Sequence, residues 1–572
     1  MKLILKQYLS SLRERDELDA VLPDLLSQLG LNVYSRPGRG TRQDGVDVGA
    51  VGSLDGGQEK VYLFSIKPGD LTRRDWLNES PQSLYPSLTE ILYAYIPNRL
   101  PAEHRGKNIV ICIAIGGEVQ EQIRPQLEGF IAQQTTANIT FEEWNGDKLA
   151  SYIQSSFLRE DLLPEHARSR LRKSLALLDE PEASYRHFAA LIKSLSAAND
   201  QKDSERITAI RQMSICLWIL LAWAREAENM EAAYLSSELA QLHGWNIVKQ
   251  HVGQNGKVAQ AVNNAFLSIF SAYQQICSEF LSTNILPHAD KRHAISSAIR
   301  SSNSLDVNLK LFDLLGRLGL AGIWAYWGAR RCSDEESEAK QKMLQEVEMY
   351  ATCVKTLITN NPILFLPAKD DQAIDISIAL SLLAMNAKNS DDIRTWLGEM
   401  IHRASFAYQV HGHYPSILNT YSDLLSHPKS GDNKYRESKT EASILYPTIA
   451  IWSALLSDSE TFQKVAEFKQ EHLQHCNFQF WYPDNSSEEN FYTNKDAHGA
   501  VLSHVCVDRQ ENEFLTQAFG ECDKSPQFKE LSAIKLGWWP LIVIACRHYR
   551  LPMPLHLLEG LRGKNRDGED RQ

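Results

Sequence analysis

Asp44-Gly45-Val46-Asp47 and, fourteen residues beyond Asp47, Val61-Tyr62-Leu63-Phe64-Ser65-Ile66-Lys67 are the residues that decide the fold. Val46 to Val51 and Val61 to Lys67 are apolar runs of strand length. The Leu54 to Gln58 segment between them is rich in turn formers, so the pair reads as a hairpin. Upstream, Leu18, Val21, Leu22, Leu25, Leu26 and Leu29 recur at helical spacing, with Pro23 expected to kink or restart the helix and Gly30 to end it. Leu31 to Ser35 is a short strand, and Arg36 to Gly45 is a loop. Downstream come a helix over 83–95, a wholly apolar strand at Ile109 to Ile115 closed by Gly116-Gly117, a helix over 119–131 and a short strand at 139–141. This order predicts a three-layer α/β domain with a mixed sheet over residues 1–155.

Beyond residue 155 strand signals nearly vanish. Helical periodicity continues over 170–196, 205–226, 229–243, 257–281, 306–329 and onward to 475, giving a long all-α array over 156–475 that is solenoid-like in outline. Residues 476–500 break the pattern. Helices resume over 508–520 and 529–548, so 476–572 is read as a C-terminal helical region.

The 572 residues are 43% apolar and 23% charged, which excludes disorder as the main state. Net charge is -11, and the first 150 residues hold 16 bases against 20 acids, so any nucleic-acid surface must be local. The nine cysteines are scattered with no Cys-x-x-Cys pair, as in an intracellular protein with reduced thiols. No secretory segment opens the chain, and the longest apolar run, Ile215 to Ala224, is too short to cross a bilayer. A cytoplasmic protein with no membrane partner is expected.

The hairpin brings an acid, Asp47, beside a strand whose Ser65 and Lys67 share one face. An acid and a lysine so placed suit metal-assisted phosphodiester hydrolysis. The carboxylate would hold Mg²⁺ or Mn²⁺, which lowers the pKa of a water, and the lysine would position that water or offset charge on the transition state.

This arrangement resembles the restriction-endonuclease-like superfamily (PD-(D/E)xK), most closely its methylated-DNA-restriction branch, over about residues 15–120. The resemblance implies a restriction-endonuclease-like α/β fold, with the helix acid matched by Asp19, the metal carboxylate by Asp47 and the lysine by Lys67. It departs at Ser65, where the pattern has Glu or Gln. Asp19 or Glu59 could supply the missing acid. Alternatively, Asp47, the Ile66 carbonyl, water and substrate phosphate hold the metal weakly, or the domain binds nucleic acid without cutting it. Arg36, Arg39 and Arg42 before the hairpin, and Arg73 and Arg74 after it, are the candidate phosphate clamps. Plain readings stand beside each: Asp44 and Asp47 shaping a turn, Asp19 facing solvent, Glu59 a turn acid, Lys67 a snorkelling edge lysine, the arginines solvated, and Trp76 in the core.

His472, His475, Cys476, His498, His504 and Cys506 cluster in sequence but fit no compact zinc motif, and no P-loop is present. The implied function is a metal-dependent nuclease effector acting on nucleic acid, DNA in preference, in restriction or phage defence. Its helical region would be a sensor or assembly module for a partner protein or a second copy. The alternative is a non-catalytic nucleic-acid-binding or scaffold protein with a degenerate nuclease fold.

Overall fold

The computed structural model describes residues 2–12, 14–36, 44–54, 56–77, 83–156, 165–196, 202–299, 301, 303–333, 337–494 and 500–562. The chain forms two compact units, Met1–Ile276 and Cys277–Gln572.

The first unit opens with α1 (Lys2–Ser11), a π-helical turn (Glu14–Leu18) and α2 (Asp19–Gln28). There follow β1 (Asn32–Ser35), β2 (Val48–Gly52), β3 (Lys60–Lys67), α3 (Arg73–Trp76), α4 (Leu84–Glu90) and α5 (Ile96–Asn98). The domain closes with β4 (Ile109–Ile115), α6 (Arg124–Gln134), β5 (Ile139–Trp144) and α7 (Gly146–Ser156). The strands make one mixed sheet in the order β1-β2-β3-β4-β5. The first three strands pair antiparallel, with Val48 opposite Phe64, and the last three pair parallel, with Lys67 beside Ile115. The expected hairpin and the expected mixed α/β domain are both present.

Alternation along β3 sorts its residues into two rows. Val61 and Leu63 join Ile109, Ile111, Ile113 and Ile115 of β4 in a core with Leu84, Leu88, Ile91, Leu127 and Phe130. Ser65 and Lys67 continue this row, so an apolar stripe turns polar at the C-terminal end of the strand. In the other row, Phe64 meets Trp144 edge-on with ring centroids 5.0 Å apart.

Some local expectations shift. Pro125 lies in the first turn of α6, where a missing N–H costs nothing, so the helix starts at Arg124 and not at 119. Pro23 sits inside α2 without ending it, and the chain departs from α geometry just before, in the π-helical turn. Helices α1 and α7 were not anticipated. The periodic stretch 170–196 is two helices, Glu165–Ala176 and Pro181–Ser196, the second begun by its proline. Helix Asp203–Glu226 follows, and its segment Glu205–Glu226 is long and apolar enough to cross a membrane but is mostly buried within the protein. It is tied to the π-helical turn by Arg225, whose Nη1 and Nη2 donate to both oxygens of the buried Glu17 at 3.1 and 2.8 Å.

The second unit is mainly helical, with Ser304–Arg331, Ser337–Asn360, Ser390–Gln409 and Ser459–Glu471 among its longer helices. The helical array thus continues as expected, with two corrections. Within 413–426 only Tyr421–Leu425 is α-helical. The break at 476–500 contains strand β7 (Asn477–Pro483), set between β6 (Ala442–Ser443) and β8 (Ala500–His504). Its aromatic run Phe478, Phe480, Trp481 and Tyr482 is what a pleated, buried strand accommodates best.

Gly45 fixes the entry to β2. Its φ is +82°, and a Cβ there would lie 2.1 Å from the Ser87 carbonyl oxygen of α4. Gly56, in the hairpin turn with φ +72°, has open space around it. Gly45→Ala is therefore expected to destabilise the protein by about 1–3 kcal/mol more than Gly56→Ala, because overlap with a fixed backbone adds to the left-handed penalty both share. Urea unfolding of the two full-length variants measures the difference, and equal midpoints would contradict it.

Candidate functional site

The C-terminal end of β3 gathers the polar groups. Asp47 stands at the mouth of β2, with its N–H bonded to the Phe64 carbonyl at 2.8 Å. Its carboxylate Oδ2 accepts the Ile66 N–H at 2.7 Å. The carboxylate thus takes a strand amide that β2 would otherwise satisfy with a carbonyl. In an extended strand the N–H and C=O of one residue point to the same side, so the Asp47 carboxylate and the Ile66 carbonyl both face the β2 side of β3. Ile66 lies between Ser65 and Lys67, so the hydrogen bond fixes Asp47 against the centre of the Ser-Ile-Lys segment.

Lys67 is 6% exposed, and its Nζ donates to Glu14 Oε2 at 3.4 Å. An ammonium so deeply placed needs a counter-charge, and Glu14, from the π-helical turn, provides it. Glu14 is five residues before Asp19, the helix acid matched by pattern. Asp19 itself occupies the first turn of α2, half-buried. Sequence reasoning missed Glu14 because the turn that carries it is π-helical, so α-helical spacing counted back from the apolar face of α2 gives the wrong phase. The available signal was the acid-rich run Glu14-Arg15-Asp16-Glu17 just ahead of the helix.

Ser65 is fully buried, and its Oγ has no hydrogen-bond partner among the described residues. Glu59 stands at the opposite end of β3, about 25 Å from Lys67 at the usual rise per residue. There it is exposed and paired with Lys107, a contact that lowers its pKa. Asp44 shapes the turn before Asp47 with φ +47°, and Arg99 Nε binds its Oδ2 at 2.6 Å.

Of the arginine clusters, Arg39 and Arg42 lie outside the described residues. Arg36 is exposed and 3.9 Å from Asp24 Oδ1. Burial pushes the Asp24 carboxyl up, with Arg211 and Arg36 acting against it. Arg73 and Arg74 are exposed on α3, which Thr72 and Asp75 cap reciprocally, and neither has an ion-pair partner among the described residues. Trp76 is in the core, edge-on to Tyr85 and Phe130.

No family model matches the chain, no curated protein matches its sequence, and no solved structure matches its fold. The oxygen donors at the end of β3 therefore rest on their own chemistry. Asp47, the Ile66 carbonyl and Glu14 are hard ligands of the kind Mg²⁺ and Mn²⁺ take. The buried Ser65 hydroxyl, with no partner among the described residues, costs desolvation. Ser65→Ala is accordingly expected to leave stability unchanged or to raise it by up to about 1 kcal/mol. Chemical denaturation of the variant measures this, and a loss above about 1 kcal/mol would show that the hydroxyl is bonded.

Proposed function

We propose that the end of β3 is a divalent-cation-dependent phosphodiesterase site acting on nucleic acid, DNA in preference. The observation that carries this reading is the Asp47–Ile66 hydrogen bond, which ties the carboxylate to the main chain of the residue just before Lys67. Mg²⁺ or Mn²⁺, when bound, supplies an activated water and a positive charge at the phosphoryl oxygens. Asp47 and the Ile66 carbonyl would hold it, with Glu14 in the place of the carboxylate that Ser65 lacks. Lys67 would stabilise charge on the phosphorus centre, and Glu14 keeps its ammonium at the strand end. Arg73 and Arg74, exposed and unpartnered among the described residues, suit contacts to backbone phosphates. The pattern of Asp47 and Lys67 resembles restriction-endonuclease-like domains, which supports a role as a cytoplasmic restriction or phage-defence effector. On this reading the helices beyond the domain serve as the sensor or the surface for a partner chain.

A second reading rests on the burial of Lys67 and Ser65. The Lys67–Glu14 pair is then a closed structural ion pair, and the domain binds nucleic acid or a partner without cutting.

Cleavage of plasmid DNA and of RNA by the full chain in Mg²⁺ or Mn²⁺ separates the two. The nuclease reading expects metal-dependent cleavage that falls about 10²-fold or more in Asp47→Ala and Lys67→Ala, and less in Glu14→Gln. Full activity in Asp47→Ala would refute the site. Absence of cleavage in every protein, with DNA binding that weakens in an Arg73→Ala/Arg74→Ala double variant, would establish the second reading.

A further inference from the structure

The second unit holds a group of soft and hard donors that no part of the β3 site uses. Cys522 lies near the end of helix Glu511–Asp523, His556 in the 3₁₀ turn Leu555–Leu558, and Glu559 at the start of the short helix Glu559–Arg562. One ligand atom from each comes within 4.8 Å of the others, with Cys522 and His556 buried and Glu559 exposed. Among the described residues this is the one such group; of the His472 to Cys506 set that clusters in sequence, His498 lies outside the described residues. His475, from that set, bonds instead to the Thr440 hydroxyl at 2.9 Å.

The imidazole of His556 has one nitrogen tied to the main chain and the other bare. Nε2 lies 3.1 Å from the Cys522 carbonyl and 3.2 Å from the Ser525 carbonyl. Two acceptors at one nitrogen require that it carry the proton, so the lone pair is on Nδ1. Nδ1 is buried and has no partner among the described residues. The ring is further fixed by stacking on Phe528, with centroids 4.5 Å apart and planes 11° apart. A ring N–H held by a main-chain carbonyl, with the other nitrogen left bare, is the usual outer support of a metal-bound histidine.

We propose that Cys522, His556 and Glu559 bind one Zn²⁺, through Sγ, Nδ1 and a carboxylate oxygen. Thiolate, imidazole and carboxylate together select zinc over Mg²⁺ or Ca²⁺. Zinc–ligand bonds of about 2.0–2.3 Å put tetrahedral ligand atoms about 3.3–3.8 Å apart. The ligand atoms already lie within 4.8 Å of one another, so about 1–1.5 Å of movement at most brings them to that spacing. Three protein donors leave the fourth position to water. The ion would tie the turn at 555–559 to the helix ending at Asp523.

Binding forms a Zn–S bond, breaks the S–H bond and releases one proton to solvent, because the ligand is the thiolate.

The test is titration of the chelator-treated full chain with Zn²⁺, and with Co²⁺ to read a thiolate-to-cobalt charge-transfer band. The wild type should take up one equivalent that Cys522→Ser and Glu559→Gln bind at least 10-fold more weakly, with the band lost in Cys522→Ser. Calorimetry in buffers of different ionisation enthalpy should show about one proton released. Glu559 is exposed, so Glu559→Gln decides the matter if Cys522→Ser fails to fold. Wild type and Glu559→Gln binding Zn²⁺ alike, or uptake without the thiolate band, would overturn the assignment.

Discussion

Strand β3 is the constraint on which the first unit depends. It pairs antiparallel with β2 on one side and parallel with β4 on the other, so both halves of the mixed sheet take their register from it. All of its residues after Lys60 are buried, and none can slip by one without exchanging the two rows of side chains. The turn at Asp44-Gly45 and the Asp47–Ile66 bond set where β2 joins it. The position of the polar end, Ser65 to Lys67, is a consequence of that register.

The cost of that placement is electrostatic. An apolar row that runs Val61, Leu63, Ser65, Lys67 ends in a hydroxyl without a partner among the described residues and an ammonium almost shut from water. A core built for stability alone would finish such a row with Val or Ile. Glu14 offsets the charge of Lys67 at 3.4 Å, and nearby Glu17 is matched by both arms of Arg225. Two acids on one π-helical turn thus have separate tasks. Glu17 anchors the turn to helix Asp203–Glu226, and Glu14 faces the end of β3.

The strands were legible because their sequences are: β3 and β4 are unbroken apolar runs bounded by turn residues, and period-two alternation put Ser65 and Lys67 on one face. The helical character beyond the domain was legible for the same reason. What escaped was fixed by tertiary contact or by departures from ideal geometry. Helix α1 is short, and its lysines Lys2 and Lys6 are held by Asp147 and Glu118 from distant sequence. The strand β7, aromatic in sequence, was masked by the polar run Asp484 to Asn490 that directly follows it. Glu14 was hidden by a π-turn that shifts helical phase. Cys522 and His556 are 34 residues apart and meet only in the folded chain.

The account turns on whether the end of β3 holds a divalent cation between a carboxylate and a main-chain carbonyl. Anomalous scattering from crystals of the full chain grown with Mn²⁺ reads this directly. The account predicts a manganese peak about 2.0–2.6 Å from an Asp47 carboxylate oxygen and the Ile66 carbonyl oxygen, absent from Asp47→Ala crystals. Saturating Mn²⁺ with no peak there, and Lys67 still paired to Glu14 alone, would contradict it.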